Sequence, residues 1–291
     1  MSPVPREIIV KRSMSRHEID LREDLIKKIP KRPNTKKSVQ AMQCLETVSI
    51  FVIYFTWKAR SVTTRRRKIQ WWVPGLDESR LMEVKRGLER FIKKVETGED
   101  LNPHLSVLAR SSGFVLGPPK DDDISKVRED DKDMILTRLG FHHFHVGVPD
   151  AGNPKGRSKY VVFAEVTDDY FTVVSLCDHE AFDRKTQEFE KFYTVCKEYT
   201  ERNMKQGILY MPNPVTVSGH SSDLTDHAIY CLKTIMKIGG KVDDEAFIRD
   251  LFESHGHHLP KKPKLKWQFE NLDLCLEAPG NILFPILPFR Y

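Results

Sequence analysis

The rhythm of apolar and polar positions changes along the chain, and each rhythm predicts a different element. Between residues 77 and 97, Leu81, Val84, Leu88, Phe91, Ile92 and Val95 recur at steps of three and four. That spacing places them on one face of a helix, which Asp77 or Ser79 can cap and Gly98 can stop. Arg80, Arg86, Arg90, Lys93 and Lys94 fall on the opposite face and read as solvated. A second amphipathic helix is expected from about Arg184 to Met204, with Phe189, Phe192, Val195, Cys196 and Tyr199 inward. Two more fit 223–238 and 244–254, the latter capped by Asp243. From Ser38 to Arg60 the chain becomes apolar on all sides, as in a buried helix, although the β-branched and aromatic run from Val48 also allows a strand.

After residue 133 the pattern turns to strands. FHHFHV, KYVVFAEV and YFTVVSLC are rich in β-branched and aromatic residues and are separated by the turn-forming PDAGNPKG and TDD. Consecutive strands with short connections predict an antiparallel meander. ILYM and VTV read as further short strands, and the tail around APGN reads as a final β-hairpin. The fold class is α+β: a central antiparallel sheet with N-terminal helices, C-terminal helices and a hairpin.

Charge divides the chain. Residues 1–68 hold 17 Lys/Arg against 6 Asp/Glu, while the remainder holds 30 against 35. A basic front on a mildly acidic body suits a polyanion such as RNA or a ribonucleoprotein. Residues 1–37 read as a basic arm and 38–116 as a helical basic region. The acidic stretch 117–133, GPPKDDDISKVREDDKD, reads as a linker, and 134–291 as the α+β catalytic domain. In WKARSVTTRRRKIQWW, Arg60, Arg65, Arg66, Arg67 and Lys68 lie among tryptophans, a mixture that suits phosphate and base contacts. Five scattered cysteines without a CxxC spacing argue against a disulfide scaffold and for a reducing cytoplasm. VSIFVIYFTW is about half the length that spans a bilayer, so no membrane partner is expected.

Candidate chemistry centres on GFHHFHVG, residues 140–147, where three histidines occupy four positions. On a strand His143 and His145 share a face and His142 points away. Such an HxH pair can chelate, so a metal-dependent hydrolase using His143 and His145 is one reading. The pair suits neither an amidohydrolase-like barrel, since about 140 residues precede it and an antiparallel meander follows, nor a cupin-like barrel, whose glycine spacing is absent, and there is no HExxH. A second reading makes the protein a nucleic-acid-binding or partner-binding protein whose histidines are structural. VSGHSSDLTDH places Ser218, His220 and Ser221 just before a helix, as a candidate anion site, and Glu165 interrupts an apolar strand.

Taken together, GFHHFHVG and RSKYVVFAEVTDDYFTVVSLCDHEAF resemble the central sheet of the RelE/YoeB-like ribonuclease toxins of the barnase/RelE-like superfamily, over residues 138–181. His143 and His145 match alternating basic positions of the first strand there, and YVVFAEVTDD matches the second strand and its turn. His179, ten residues after Asp169, falls where YoeB-like members place a terminal histidine. The resemblance implies a bacterial, cytoplasmic, toxin-like endoribonuclease that needs no metal or cofactor, with a neutralising antitoxin as partner. It also implies roles. His179 serves as acid or base, His143 and His145 share proton transfer and phosphate binding, and Arg157, or less readily Lys159, clamps the phosphate. Imidazole can move protons near neutrality, and fixed cations stabilise the extra charge of the transition state.

Overall fold

Helix α4 (Glu78–Thr97) shows how local chemistry sets the elements. Asp77 accepts a hydrogen bond from the Arg80 N–H at the start, and Gly98 ends the helix in the left-handed region at φ +78°. Val84, Leu88, Phe91 and Val95 are buried along its inner face. The computed structural model describes residues 14–116, 132–148, 153, 156–202, 204 and 213–289. Among them are nine α-helices and three sheets, an α+β architecture. Backbone proximity divides the chain into two compact units, Ile29–Asp226 and Met1–Lys28 with His227–Tyr291.

The unit Ile29–Asp226 is built on a four-stranded sheet of order β2-β6-β5-β4. Strands β4 (His142–His145), β5 (Tyr160–Val166) and β6 (Tyr170–Asp178) form the expected antiparallel meander. Strand β2 (Lys68–Trp71) adds a fourth, parallel to β6. It is short and pairs with residues a hundred positions away, so no local periodicity announces it. A two-residue pair, β1 (Lys31–Arg32) with β3 (Phe114–Val115), lies apart.

Each face of the main sheet carries its own core. On one, Phe144, Val162, Phe171 and Val173 pack with Val84, Leu88 and Phe91 of α4. On the other, Phe141, Val161, Phe163 and Val174 pack with Phe192, Cys196 and Tyr199 of α7 (Gln187–Glu201). Gly87 lets α4 approach closely, because a Cβ there would sit 1.7 Å from the Val146 carbonyl oxygen.

The expected helix over 38–60 is two helices, α2 (Lys36–Gln43) and α3 (Thr47–Lys58). Thr35, not Ser38, caps the first, while Ser38 is buried and donates to the Pro33 carbonyl. Short helices α5 (Val107–Ser111) and α6 (Met134–Leu139) complete the set before β4. VTV contributes a single bridge, Val215 with Ser221, rather than a strand. ILYM and residues 117–131 of the acidic stretch lie outside the described residues.

The remaining unit contains α1 (Arg16–Lys28), α9 (Glu245–Ser254) and a three-stranded antiparallel sheet. Helix α8 (Ser222–Ile238) runs across the boundary between the units. The stretch expected as a loose basic arm thus holds a helix with Leu21, Leu25 and Ile26 buried; residues 1–13 lie outside the described residues. The tail contains the expected hairpin around APGN, formed by β8 (Asp273–Ala278) and β9 (Ile282–Leu287), and β7 (Lys266–Glu270) adds a third strand beside β8. Positive φ values at Asn271 and Asn281 close its two turns. Asp244 caps α9, and Asp243 instead contacts His17 Nε2 at 2.8 Å.

Arg80, expected on the solvated face of α4, reaches a buried carboxylate. Its two terminal nitrogens donate to the two oxygens of Glu188, and one also donates to the Leu176 carbonyl at 3.2 Å. Glu188 in turn accepts from the Asp178 N–H at 3.3 Å. The Glu188 hydrogen bond pushes Arg80 up, and the Arg80 hydrogen bond holds Glu188 below its ordinary range. The pair therefore clamps the end of β6. Removing one member of a buried pair strands the other charge. Glu188→Ala should lower unfolding free energy by about 3 kcal/mol in urea denaturation, with part of the loss recovered in Arg80→Leu/Glu188→Leu.

Candidate functional site

Alternation along β4 decides which histidine goes where. Phe144 is fully buried against Phe91 and Phe171, with ring centroids 5.2 and 5.3 Å away. His142 shares its side: its ring stacks on Phe144, and Nε2 lies 3.2 Å from the Ala59 carbonyl oxygen. His143 and His145 are turned to the opposite face, in register with Phe163 and Val161 of β5. There they line a cavity of about 590 Å³.

His179 and Arg157 line the same cavity. His179 opens the 3-10 turn His179–Phe182 that follows β6, and its ring centroid is 5.4 Å from that of His145. Arg157 lies just before β5 and is exposed, and its guanidinium has no partner among the described residues. The structure thus brings together all four residues singled out for catalysis, from three separate segments.

Other residues of the cavity were not singled out from the sequence. Asp133 closes the acidic stretch, caps α6 by accepting from the Leu136 N–H at 3.0 Å, and lies 3.1 Å from His143 Nδ1. Burial would raise its carboxyl, but contacts with His143, the Leu136 N–H and His142 outweigh it and hold Asp133 below its ordinary range. Gly140, at φ +78°, turns the chain from α6 into β4, so Asp133 and His143 meet across a short local connection. Lys132, Arg138 and Arg184 add positive charge to the lining. Phe182, Phe189 and Tyr193 supply aromatic surface, of which Phe182 and Tyr193 are exposed. The Arg138 Nε and His145 Nδ1 are buried without a hydrogen-bond partner among the described residues. Only the capping role of Asp133 has a sequence signal, and a run of acids hides it.

Burial, then the positive surroundings of His179 and Arg157, pushes His145 down to about 4, so its ring is neutral at pH 7. Burial likewise pushes His142 down to about 4.

The basic residues expected to meet nucleic acid divide into two groups. Arg60 and Arg67 are buried and donate hydrogen bonds inside the protein. Arg60 lines the cavity but donates to the Leu108 and Ser112 carbonyls. Arg67 donates to the carbonyls of Thr167 at 2.6 Å and Thr63 at 3.0 Å, and to the Thr63 hydroxyl. These two stabilise loops, because a buried guanidinium must place its donors on nearby carbonyls. Arg65 pairs with Asp168 at 2.6 Å, while Arg66 and Lys68 are exposed. Lys159 sits over the Tyr160 ring and is not part of the cavity lining.

The smaller candidates are tied down. His220 Nδ1 meets the Thr56 hydroxyl at 2.7 Å, and Ser218 bonds to Thr216. Glu165 accepts from the Tyr199 hydroxyl at 2.7 Å. Among the described residues no group of three or more His, Cys, Asp or Glu side chains is arranged to hold a metal ion. Nor is any helix there long and apolar enough to cross a membrane. No family model, no curated protein and no solved structure matches the chain.

Stability should track the depressed histidines. Their folded values lie below the unfolded value near 6.5, so at mildly acidic pH the unfolded chain binds protons that the native chain refuses. Stability is unaffected above pH 6.5 and is lost as pH falls toward 4. Burial-depressed His104 and His227 act in the same direction. Urea denaturation should show a fall on the order of 4 kcal/mol between pH 6.5 and pH 4.5, about 2 kcal/mol from each of His142 and His145, and smaller in His142→Gln. A flat profile would show that these rings protonate freely in the folded protein.

Proposed function

We propose that the protein is a metal-independent endoribonuclease of the toxin-like kind, acting on RNA or a ribonucleoprotein. The observation that carries this reading is the meeting of His143, His145, His179 and Arg157 in one cation-rich cavity. Its volume and exposed aromatic rings suit an unpaired nucleotide, since bases stack on aromatic faces and phosphates favour arginine. The resemblance of residues 138–181 to the RelE/YoeB-like sheet supports the same chemistry. It extends the reading to a bacterial cytoplasm and a neutralising antitoxin.

The reaction uses proton transfer and charge stabilisation. With Nδ1 held toward Asp133, His143 offers Nε2 to take the proton from a ribose 2′-OH. The 2′ oxygen then bonds to phosphorus as the bond to the 5′ oxygen breaks. His179, beside His145 and open to solvent, gives that departing oxygen its proton. Arg157 neutralises the charge that builds on the phosphoryl oxygens, and the neutral ring of His145 hydrogen-bonds to them without adding like charge beside His179. Asp133 acts through His143 as a positioning residue.

His143→Gln and His179→Ala should each slow cleavage of an unmodified oligoribonucleotide about a thousandfold. Because His179 is exposed, His179→Ala should unfold within about 2 °C of the parent. Full activity in either variant would remove the acid–base assignment.

A further inference from the structure

The outer face of α4 contains charges that the histidine cavity does not use. Arg90 and Lys94, one helical turn apart, line a second cavity of about 460 Å³ together with Arg110 of α5. This cavity shares His145 and Arg157 with the first, so the two adjoin across those side chains. No acidic side chain appears in its lining among the described residues. Arg90 and Arg110 are exposed, and their guanidinium groups make no hydrogen bond or ion pair with any described residue.

Lys94 is held in place. Its ammonium can only donate, and Nζ lies 3.3 Å from His104 Nε2. His104 Nδ1 therefore donates to the His145 carbonyl at 2.8 Å. The chain of bonds ties the charge of Lys94 to the backbone of the histidine strand. Gly87 and Gly147 keep the floor close, since a Cβ on either would collide with backbone oxygen, at 1.7 and 2.5 Å. A concave wall with three added cations and no described acid attracts anions, and it adjoins a site that already suits a phosphate.

We infer that the second cavity takes the phosphate next to the scissile one, so that an unpaired RNA strand passes over His145 and Arg157 onto Arg90, Lys94 and Arg110. This rests on the reading of the histidine cavity as an RNA site. The substrate is then a strand extending at least one phosphate past the cut, rather than a dinucleotide. Regularly spaced charge on one chain is what two adjoining cationic cavities select.

The test is fluorescence anisotropy with labelled 2′-O-methyl RNA, which cannot be cut by its own 2′ oxygen, as a dinucleotide and as a pentanucleotide. The full-length protein should bind the pentanucleotide more tightly. Arg90→Gln/Arg110→Gln should weaken pentanucleotide binding about tenfold and make the slope of log affinity against log salt shallower by about 1. The affinity advantage over the dinucleotide should shrink accordingly. Arg86→Gln, on the same helix but outside the cavity, should keep that advantage. Unchanged pentanucleotide affinity would overturn the strand path. An equal loss for both lengths would also overturn it, by assigning the two arginines to general attraction. A protein that binds in this length-dependent way yet leaves unmodified RNA uncut would sink the nuclease reading and keep the path. Cleavage with no length preference would do the reverse.

Discussion

The burial of Phe144 is the constraint on which the site depends. Its side chain is fully enclosed between α4 and the sheet, and a strand cannot turn one residue inward without turning its neighbours outward. His143 and His145 therefore face the cavity, and His142 is confined against Ala59. A slip of one residue in the pairing of β4 with β5 would exchange these sets and dismantle the cluster.

Around that strand, the fold supplies fixed charge and controlled burial. Asp133 stands behind His143 from the start of α6. The Arg80–Glu188 clamp holds the end of β6, next to His179. Lys94 and His104 bind the backbone at His145 from the other face of the sheet. Each interaction lies at or beside one histidine: Asp133 at the His143 ring, the clamp at Asp178 next to His179, and His104 at the His145 carbonyl. Burial keeps His145 neutral, while the exposed guanidinium of Arg157 has no partner among the described residues.

Much of this was legible in the sequence because it is local. The steps of three and four in α4, its Asp77 cap and its Gly98 stop follow from residues within a few turns. The facing of His143 with His145 follows from strand period alone. What failed was non-local. Strand β2 is only Lys68–Trp71 and exists through pairing with β6. The basic run looked uniformly available, yet Arg67 is consumed by Thr63 and Thr167, the latter from the β5–β6 turn. Arg80 looked solvated because nothing near it in sequence announces Glu188. Asp133 was indistinguishable from the acids before it until α6 gave it a cap to fill.

The most direct measurement of the central claim is phosphorus NMR of the products formed from a short unmodified RNA in excess chelator. Attack by the 2′ oxygen under imidazole acid–base control predicts cleavage with a 2′,3′-cyclic phosphate on one fragment and a free 5′ hydroxyl on the other. Fragments bearing a 5′ phosphate and a 3′ hydroxyl, or no cleavage until a divalent ion is restored, would contradict it.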